Sequence, residues 1–568
     1  MPKQPLSVSS QSSCQGVSST ERQLLPPERV ERRHALHDSE ILGQQRATKR
    51  VDFVSQLPGE VVSSLILPAT LTLPTPKAFS YLHVCKTWRQ RVLQSVHLHY
   101  NSFGKLTQGD IQLMVTYAPY LHKIRMGSPT LFPVGFFASA QFTCLQSLSL
   151  DLSSENDIHT MYLLLDPIAP TLKEIELSLY CATGNMGISL KDILRHFPNI
   201  EAFECNNVNV TDLIAHPQHI YKVKKLVLRS ITLPLRSPDI IALLKRFPSL
   251  EILVLTDCQD SRPLATMHQC CPALGSLTYI MTGQTRSLVS DAPAVNISGL
   301  HSLSIYAGDN FNIQHLIPLL KGHCDTLVNI HIQNKINQQS NVTHLLPEQG
   351  VVFIQLSHLS FYPREANDGS ALVQWILKRV PNACDIGVTK CNIDDNDVYE
   401  AMKHAKNLKS LSFSLPSPSF IHLLEYHGTL GQQSRLHSVM IDVNLCREHC
   451  VHAFKAVAHL TNLRKLLLYL RGPALGEEFV AFIENMARGC PFLEELILES
   501  FTEFPSAIIH KFPLYLKLRQ LTLDSPNVWD ECLLQLLKCP SLEDLFIDRY
   551  NIQHHVVEKL AHLIGEHE

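Results

Sequence analysis

The sequence predicts an α/β solenoid: a curved array with a parallel sheet on its concave face and helices on its convex face, preceded by a small all-α module. Three observations predict it. One apolar template recurs from Leu121 to Leu542 in a fixed phase. A second apolar pattern, at helical spacing, fills the gaps between copies. A short stretch ahead of the array carries helical stripes that do not fit the template.

The length of 568 residues, with 45% apolar and 18% charged, is enough for a long array with a real core. Its 49 basic and 52 acidic side chains leave a net charge of −3, which gives no general attraction to phosphate backbones and argues against nucleic acid as the main partner. The first residues lack a charged region followed by an apolar run, so a secretory signal is not expected. The longest apolar runs are too short for a membrane span. The 16 cysteines are scattered rather than clustered, and are read as reduced thiols of a cytoplasmic or nuclear protein.

Residues 1–50 are rich in Ser and Gln, show no apolar periodicity, and are expected to be a disordered tail. The stretch 53–98 is the helical module. Val61, Val62, Leu65 and Ile66 make one short stripe; Ala78, Leu82, Cys85, Trp88 and Val92 make another at 3.6-residue spacing, with Val84 beside it. Pro58 suits a first helical turn, and Glu60 suits the positive end of its dipole. About 40 residues can hardly build a core alone, so these faces must lean on the array or on another protein.

The array occupies 99–568. Its template is apolar-x-x-apolar-x-apolar, as in Leu145/Leu148/Leu150, Val223/Leu226/Leu228, Leu463/Leu466/Leu468 and Leu518/Leu521/Leu523. Seventeen copies span the 421 residues from the first anchor, Leu121, to the last, Leu542, a mean interval near 26. That interval and motif predict leucine-rich repeats, each a strand followed by a helix or helical turn. Helical spacing follows in many units, as in Ile240, Ile241, Leu243, Leu244 and Phe247. Prolines such as Pro198, Pro248, Pro272, Pro491 and Pro540 end the helices two residues before the next anchor. Cys271, Cys490 and Cys539 precede three of them. The position eight residues after the anchor, commonly Asn or Cys in such repeats, fits only at Cys258, Cys391 and Asn444, so regular capping of the turn is not expected. Segments 281–299 and 334–350 are polar and are expected to be loops.

Stacked strands lie about 4.8 Å apart and packed helices 8–10 Å apart, so such an array must curve around its sheet, giving a concave face roughly 75 Å long. Side chains two, four and six residues after each anchor face that surface. They include Lys225, Val227 and Arg229 early; Tyr306, His331, Gln333, His358 and Tyr362 in the middle; and Glu495, Glu499, Asp524, Asp544, Phe546 and Asp548 at the end. An acidic end studded with aromatic rings fits a basic partner segment. Of these, Tyr306, His331, Tyr362, Glu495, Glu499, Asp524, Asp544, Phe546 and Asp548 are the candidate substrate-binding residues.

Leu57-Pro58-x-Glu60-Val61-Val62, followed by Val84-Cys85-Lys86-x-Trp88-Arg89, resembles the F-box; the spacing is a few residues longer, through Pro68 to Pro76. The order of the two parts is similar to the F-box/leucine-rich-repeat family. The resemblance implies the substrate-recognition subunit of a Skp–cullin–F-box ubiquitin ligase, with no catalysis of its own. It implies that Leu57, Pro58, Val61, Ile66, Val84, Cys85 and Trp88 dock the Skp-type adaptor, and through it a cullin, while the concave face holds a protein substrate. A scaffold without a ligase role is the alternative. No phosphate-binding glycine loop, His-Glu-x-x-His or nucleophile elbow occurs, and no cofactor is expected. Cys446-x-x-His449-Cys450-x-His452 lacks a second ligand pair and is not read as a zinc site.

Overall fold

The computed structural model describes residues 69–559, apart from several internal stretches of which 282–298 and 335–345 are the longest. The chain divides into two units, Met1–Gln56 and Leu57–Glu568, and the first lies outside the described residues, as does the expected tail within it. The second unit is built on one open sheet of nineteen strands. All pairings are parallel, and within this sheet each strand pairs with the sheet's next strand along the chain; the short strands Ile188–Ser189 and Val208–Asn209 pair separately with each other. Each of the seventeen template copies contributes a strand beginning close behind its anchor, from Leu121–Met126 to Asp544–Ile547. This is the expected α/β solenoid.

The reason is visible in the register. Leu226, Leu253, Leu277, Leu303 and Ile330 sit directly opposite one another across successive strands. The row continues through Leu359, Ile386, Leu411, Val439, Leu466, Leu496 and Leu521. Each of these is at most 1% exposed. Because side chains alternate across a strand, a slip of one residue would expose the whole row, so burial pins the register. The intervening residues point to the open face.

One expectation changes at the front. Two strands precede the seventeen: β1 (Thr70–Leu73) and β2 (His97–Asn101), joined by helices α1 (Pro76–Leu82) and α2 (Lys86–Ser95). The described part of the module expected to be all-α is thus strand, helix, helix, strand, and it extends the sheet. Leu71 opposes Leu98, 27 residues later, and both are buried. The ladder positions obey the template, but the anchors are Pro68 and Ser95, so the pattern is not apolar where it should begin.

On the convex side, the returns range from helices of 13 residues, Pro418–Leu430 and Glu477–Gly489, to 3-10 segments, Ser506–Leu514 and Glu531–Lys538. The cysteines before the stop prolines tie neighbouring units together. The Cys271 thiol lies 3.7 Å from the Leu244 carbonyl and the Cys490 thiol 3.4 Å from that of Val457, each in the preceding unit. Burial pushes both thiols up to about 12, which keeps them protonated as weak donors. Gly489 marks a close approach of two repeats: a Cβ there would stand 1.7 Å from the Ala458 carbonyl oxygen. The segments expected to be loops, 281–299 and 334–350, fall almost wholly outside the described residues. Among the described residues no helix is long and apolar enough to cross a membrane.

Candidate functional site

Two surfaces carry the residues singled out by sequence. The first is the front. Thr75 caps α1, its hydroxyl accepting from the Ala78 amide at 3.1 Å and donating to the Thr72 carbonyl at 2.7 Å, so strand β1 and helix α1 are locked through one side chain. Cys85 caps α2, its sulfur accepting from the Trp88 amide at 3.3 Å. The Arg89 Nε donates to the Leu82 carbonyl at 2.8 Å and clips the end of α1 to α2. Ala78, Leu82, Trp88, Val92 and Leu93 turn inward. Trp88 is 6% exposed, and its indole Nε1 has no hydrogen-bond partner among the described residues. Val84, in the link between the helices, is 61% exposed. Leu57, Pro58, Val61 and Ile66 lie outside the described residues. The candidate adaptor residues therefore divide: Val84 is open to a visitor, Cys85 acts as a cap, and Trp88 fills the interior.

The second surface is the open face of the sheet. In its middle, Tyr306, His331 and Tyr362 form an aromatic strip, with ring centroids 5.4 and 5.7 Å apart. Burial holds the His331 imidazole below its usual value, so it is neutral and packs as a ring. Gly387 lets Tyr362 lie across the neighbouring strand, since a Cβ there would stand 2.8 Å from the tyrosine hydroxyl. Tyr306 is 9% exposed and serves as floor more than as contact.

Toward the end of the sheet the face turns acidic. Lys465 pairs with Glu495 at 2.7 Å. Glu499 stands opposite Asp524 on the next strand. Burial, and then the like charge of Asp524, push the Glu499 carboxyl above its ordinary range. Neither Glu499 nor Asp524 has a salt-bridge partner among the described residues. Asp544 accepts from the Gln520 side-chain amide at 2.8 Å, and Phe546 is 63% exposed. Asp548 lies outside the described residues.

Between the aromatic strip and the acidic end is a cavity of about 430 Å³. Tyr362 lines it, but most of its polar groups were not picked out by sequence. Asp442 stood in the open-face phase, six residues after its anchor, and could have been found. Lys390 and Arg471 follow their strands by two and one residues, where alternation no longer says which way a side chain points. Lys390 also has a left-handed backbone, with φ +54°.

No family model matches the chain, and no curated protein matches it. Among solved structures, a chain from the crystal structure of the Rad7 and Elc1 complex in yeast is similar at a TM-score of 0.31 and 12% identity, over 79% of this chain and 85% of that one. A likeness of that strength carries no argument about function.

Proposed function

We propose that the protein is a non-catalytic substrate-recognition subunit of a Skp–cullin–F-box ubiquitin ligase, acting in the cytosol or nucleus. Residues around Leu57 to Ile66, together with Val84, dock the Skp-type adaptor, and the open face of the sheet holds the protein to be ubiquitinated. The observation that supports the cargo role most is the open face, uncovered among the described residues, which gathers a ring strip and an excess of carboxylates. The ligase assignment rests on the F-box-like residues of the front. Trp88 is buried, so in this reading it props the docking surface from beneath while Val84 contacts the adaptor. Proximity supplies the mechanism: cargo held on the array keeps its lysines at high effective concentration near a carrier bound elsewhere in the complex.

A scaffold without a ligase role is the second reading, and one observation favours it. Strand β1 and the inward-facing Trp88 make the front an end cap for the sheet, a sufficient reason for its apolar stripes. Affinity purification of the full-length chain decides between them. The Skp-type adaptor is expected to co-purify, and Leu57→Ala, Pro58→Ala and Val84→Asp together are expected to remove it at an unchanged melting temperature. Trp88 is left intact because its loss would disturb the core. A wild-type purification free of adaptor, or a triple variant that still retains it, overturns the ligase reading.

A further inference from the structure

On the convex side, two neighbouring returns leave a groove between them. The helix Arg447–Val457 and the helix Glu477–Gly489 flank a cavity of about 490 Å³. One wall is Val451, Phe454, Lys455, Ala458 and His459; the other is Glu478, Ala481, Phe482, Asn485, Arg488 and Gly489. Steps of three and four residues put each set on one helical face, so each helix turns a whole face to the gap. The floor is aromatic: the Phe454 and Phe482 rings stack with centroids 4.2 Å apart and planes 18° from parallel, and each residue is 4% exposed. The walls are low, because Ala458, Ala481 and Gly489 carry little or no side chain. The walls meet at the C-terminal ends of the helices, where Gly489 admits the Ala458 carbonyl. The two faces run for about 10–16 Å, or two to three helical turns. Charge is graded along them. The second helix opens with Glu477 and Glu478 and carries Arg488 in its last turn. Arg488 and Lys511 share one carboxylate, Glu484, with Lys511 at 2.7 Å. Across the gap, Lys455 is exposed, stands in the last turn of the first helix and has no ion pair among the described residues. The end where the walls meet therefore keeps a surplus of cationic side chains.

From this geometry we infer that the convex groove seats an amphipathic helix of a partner protein, antiparallel to the helix Glu477–Gly489, with a large apolar side chain on the phenylalanine pair and acidic residues in its first turn. An extended segment would lay unpaired N–H and C=O groups over an aromatic floor, and both walls use their backbone groups within their own helices. A helix bonds its own backbone and needs none of theirs. The low walls let a third helix approach to the 8–10 Å of ordinary helix packing. The ring pair accepts a leucine or an aromatic residue as anchor. Orientation follows from charge. Helices favour acidic residues in the first turn and basic ones in the last. An antiparallel partner sets its acidic turn beside Lys455 and Arg488, and its basic turn toward Glu477 and Glu478. The groove lies on the helices and not on the strand face, so it serves a second partner besides the cargo and does not depend on the ligase reading.

The test uses the full-length protein and a displayed library of alanine-rich helical peptides of about 18 residues, or five turns, randomised along one face and at both ends. Selected peptides are expected to carry leucine or aromatic residues at helical spacing, with Asp or Glu in the first turn and Lys or Arg in the last. Ala481→Arg fills the trough at an exposed helical position and is expected to weaken each selected peptide about tenfold or more. Lys455→Glu is expected to weaken them a few-fold at low salt, by an amount that shrinks as salt rises. The second variant keeps the test open if the first fails to fold. A library that yields no binder overturns the inference, and binders indifferent to both variants overturn the location. Binders with the opposite order of charges overturn the orientation. Two other occupants are tested on the same protein. A dimer in sedimentation that Ala481→Arg dissolves would give the groove to a second copy. Retention on phosphatidylcholine vesicles that Ala481→Arg abolishes would give it to a lipid surface. Either result overturns the assignment to a partner helix.

Discussion

The two ends of the open face share one scaffold and treat charge in opposite ways. Near the start, Glu204 lies between Arg229, at 2.9 Å, and Lys225, at 3.8 Å, and Arg125 approaches Glu176 at 3.8 Å. Charges there are compensated across neighbouring strands. Near the end, Glu499 and Asp524 face each other as like charges, and the burial of Glu499 raises its carboxyl further. The strands of both ends have the same alternation and the same buried leucines, so folding demands neither arrangement. Compensated charges need no partner, and surplus ones are an energetic cost that a complementary partner removes. On the proposed cargo role, that difference points to the end of the array as the reading surface.

The largest effect tests the shared part of that comparison. Leu228 and Leu498 occupy the same ladder position at the two ends, and both are 0% exposed. Leu228→Ala and Leu498→Ala are each expected to cost about 2–5 kcal/mol, the usual price of a large-to-small change in a close-packed core. Urea unfolding of the full-length protein measures this, with hydrogen exchange identifying the units that open, since repeat arrays need not unfold as one. Costs that differ by more than about 2 kcal/mol would mean that the ends differ in core as well as in charge, and the comparison would lose its control.

That ladder was also the most legible feature of the sequence, for the same reason that its mutation is costly. A buried row admits few residue types, so it repeats visibly. The front strands escaped because Pro68 and Ser95 replace the apolar anchor, although Leu71/Leu73 and Leu98/Tyr100 keep the rest of the template. Trp88 was legible as apolar but not as inward-facing: periodicity gives a stripe and cannot say whether its cover is the same chain or a partner. The open face was legible by phase, which yielded Tyr306, His331, Tyr362, Glu499 and Asp524. Lys390 and Arg471 were not, because they sit past the strand ends, where direction depends on the turn and not on alternation.

A smaller effect separates the ends by charge. Glu204→Gln strands two cations, and at this partial exposure is expected to destabilise by about 0.5–1 kcal/mol. Glu499→Gln removes a carboxylate that the fold disfavours, and after solvent screening is expected to be neutral or to stabilise by a few tenths, about 0.3 kcal/mol. Opposite signs in paired melting curves sharpen the comparison. A loss of stability at Glu499→Gln would show that the acidic end is already compensated within the chain, leaving no surplus for a basic partner.

The smallest effect is a divergence with pH. In β2, burial holds the His99 imidazole below its ordinary value of 6.5, with Lys123, His97 and His122 adding to the depression. Burial, then His97, lowers His122 likewise. A histidine depressed by folding favours the native state while neutral, so its contribution is present above pH 6.5 and is lost as pH falls through the lower folded value. Glu499 works the other way. Its folded value lies above the ordinary 4.5, so the native state favours the protonated form and gains stability as pH falls through that higher value. Lowering the pH from about 7 to about 4.5 should therefore loosen the strand His97–Asn101 once the pH passes below 6.5, and tighten the strand Glu495–Ser500 as the pH approaches the ordinary carboxylate value of 4.5 from above. Hydrogen exchange of the two strands, corrected for the intrinsic pH dependence of amide exchange, is expected to show few-fold changes of opposite sign. Changes of the same sign in both strands would mean that pH acts on the array as a whole, and that the two ends are not electrostatically independent.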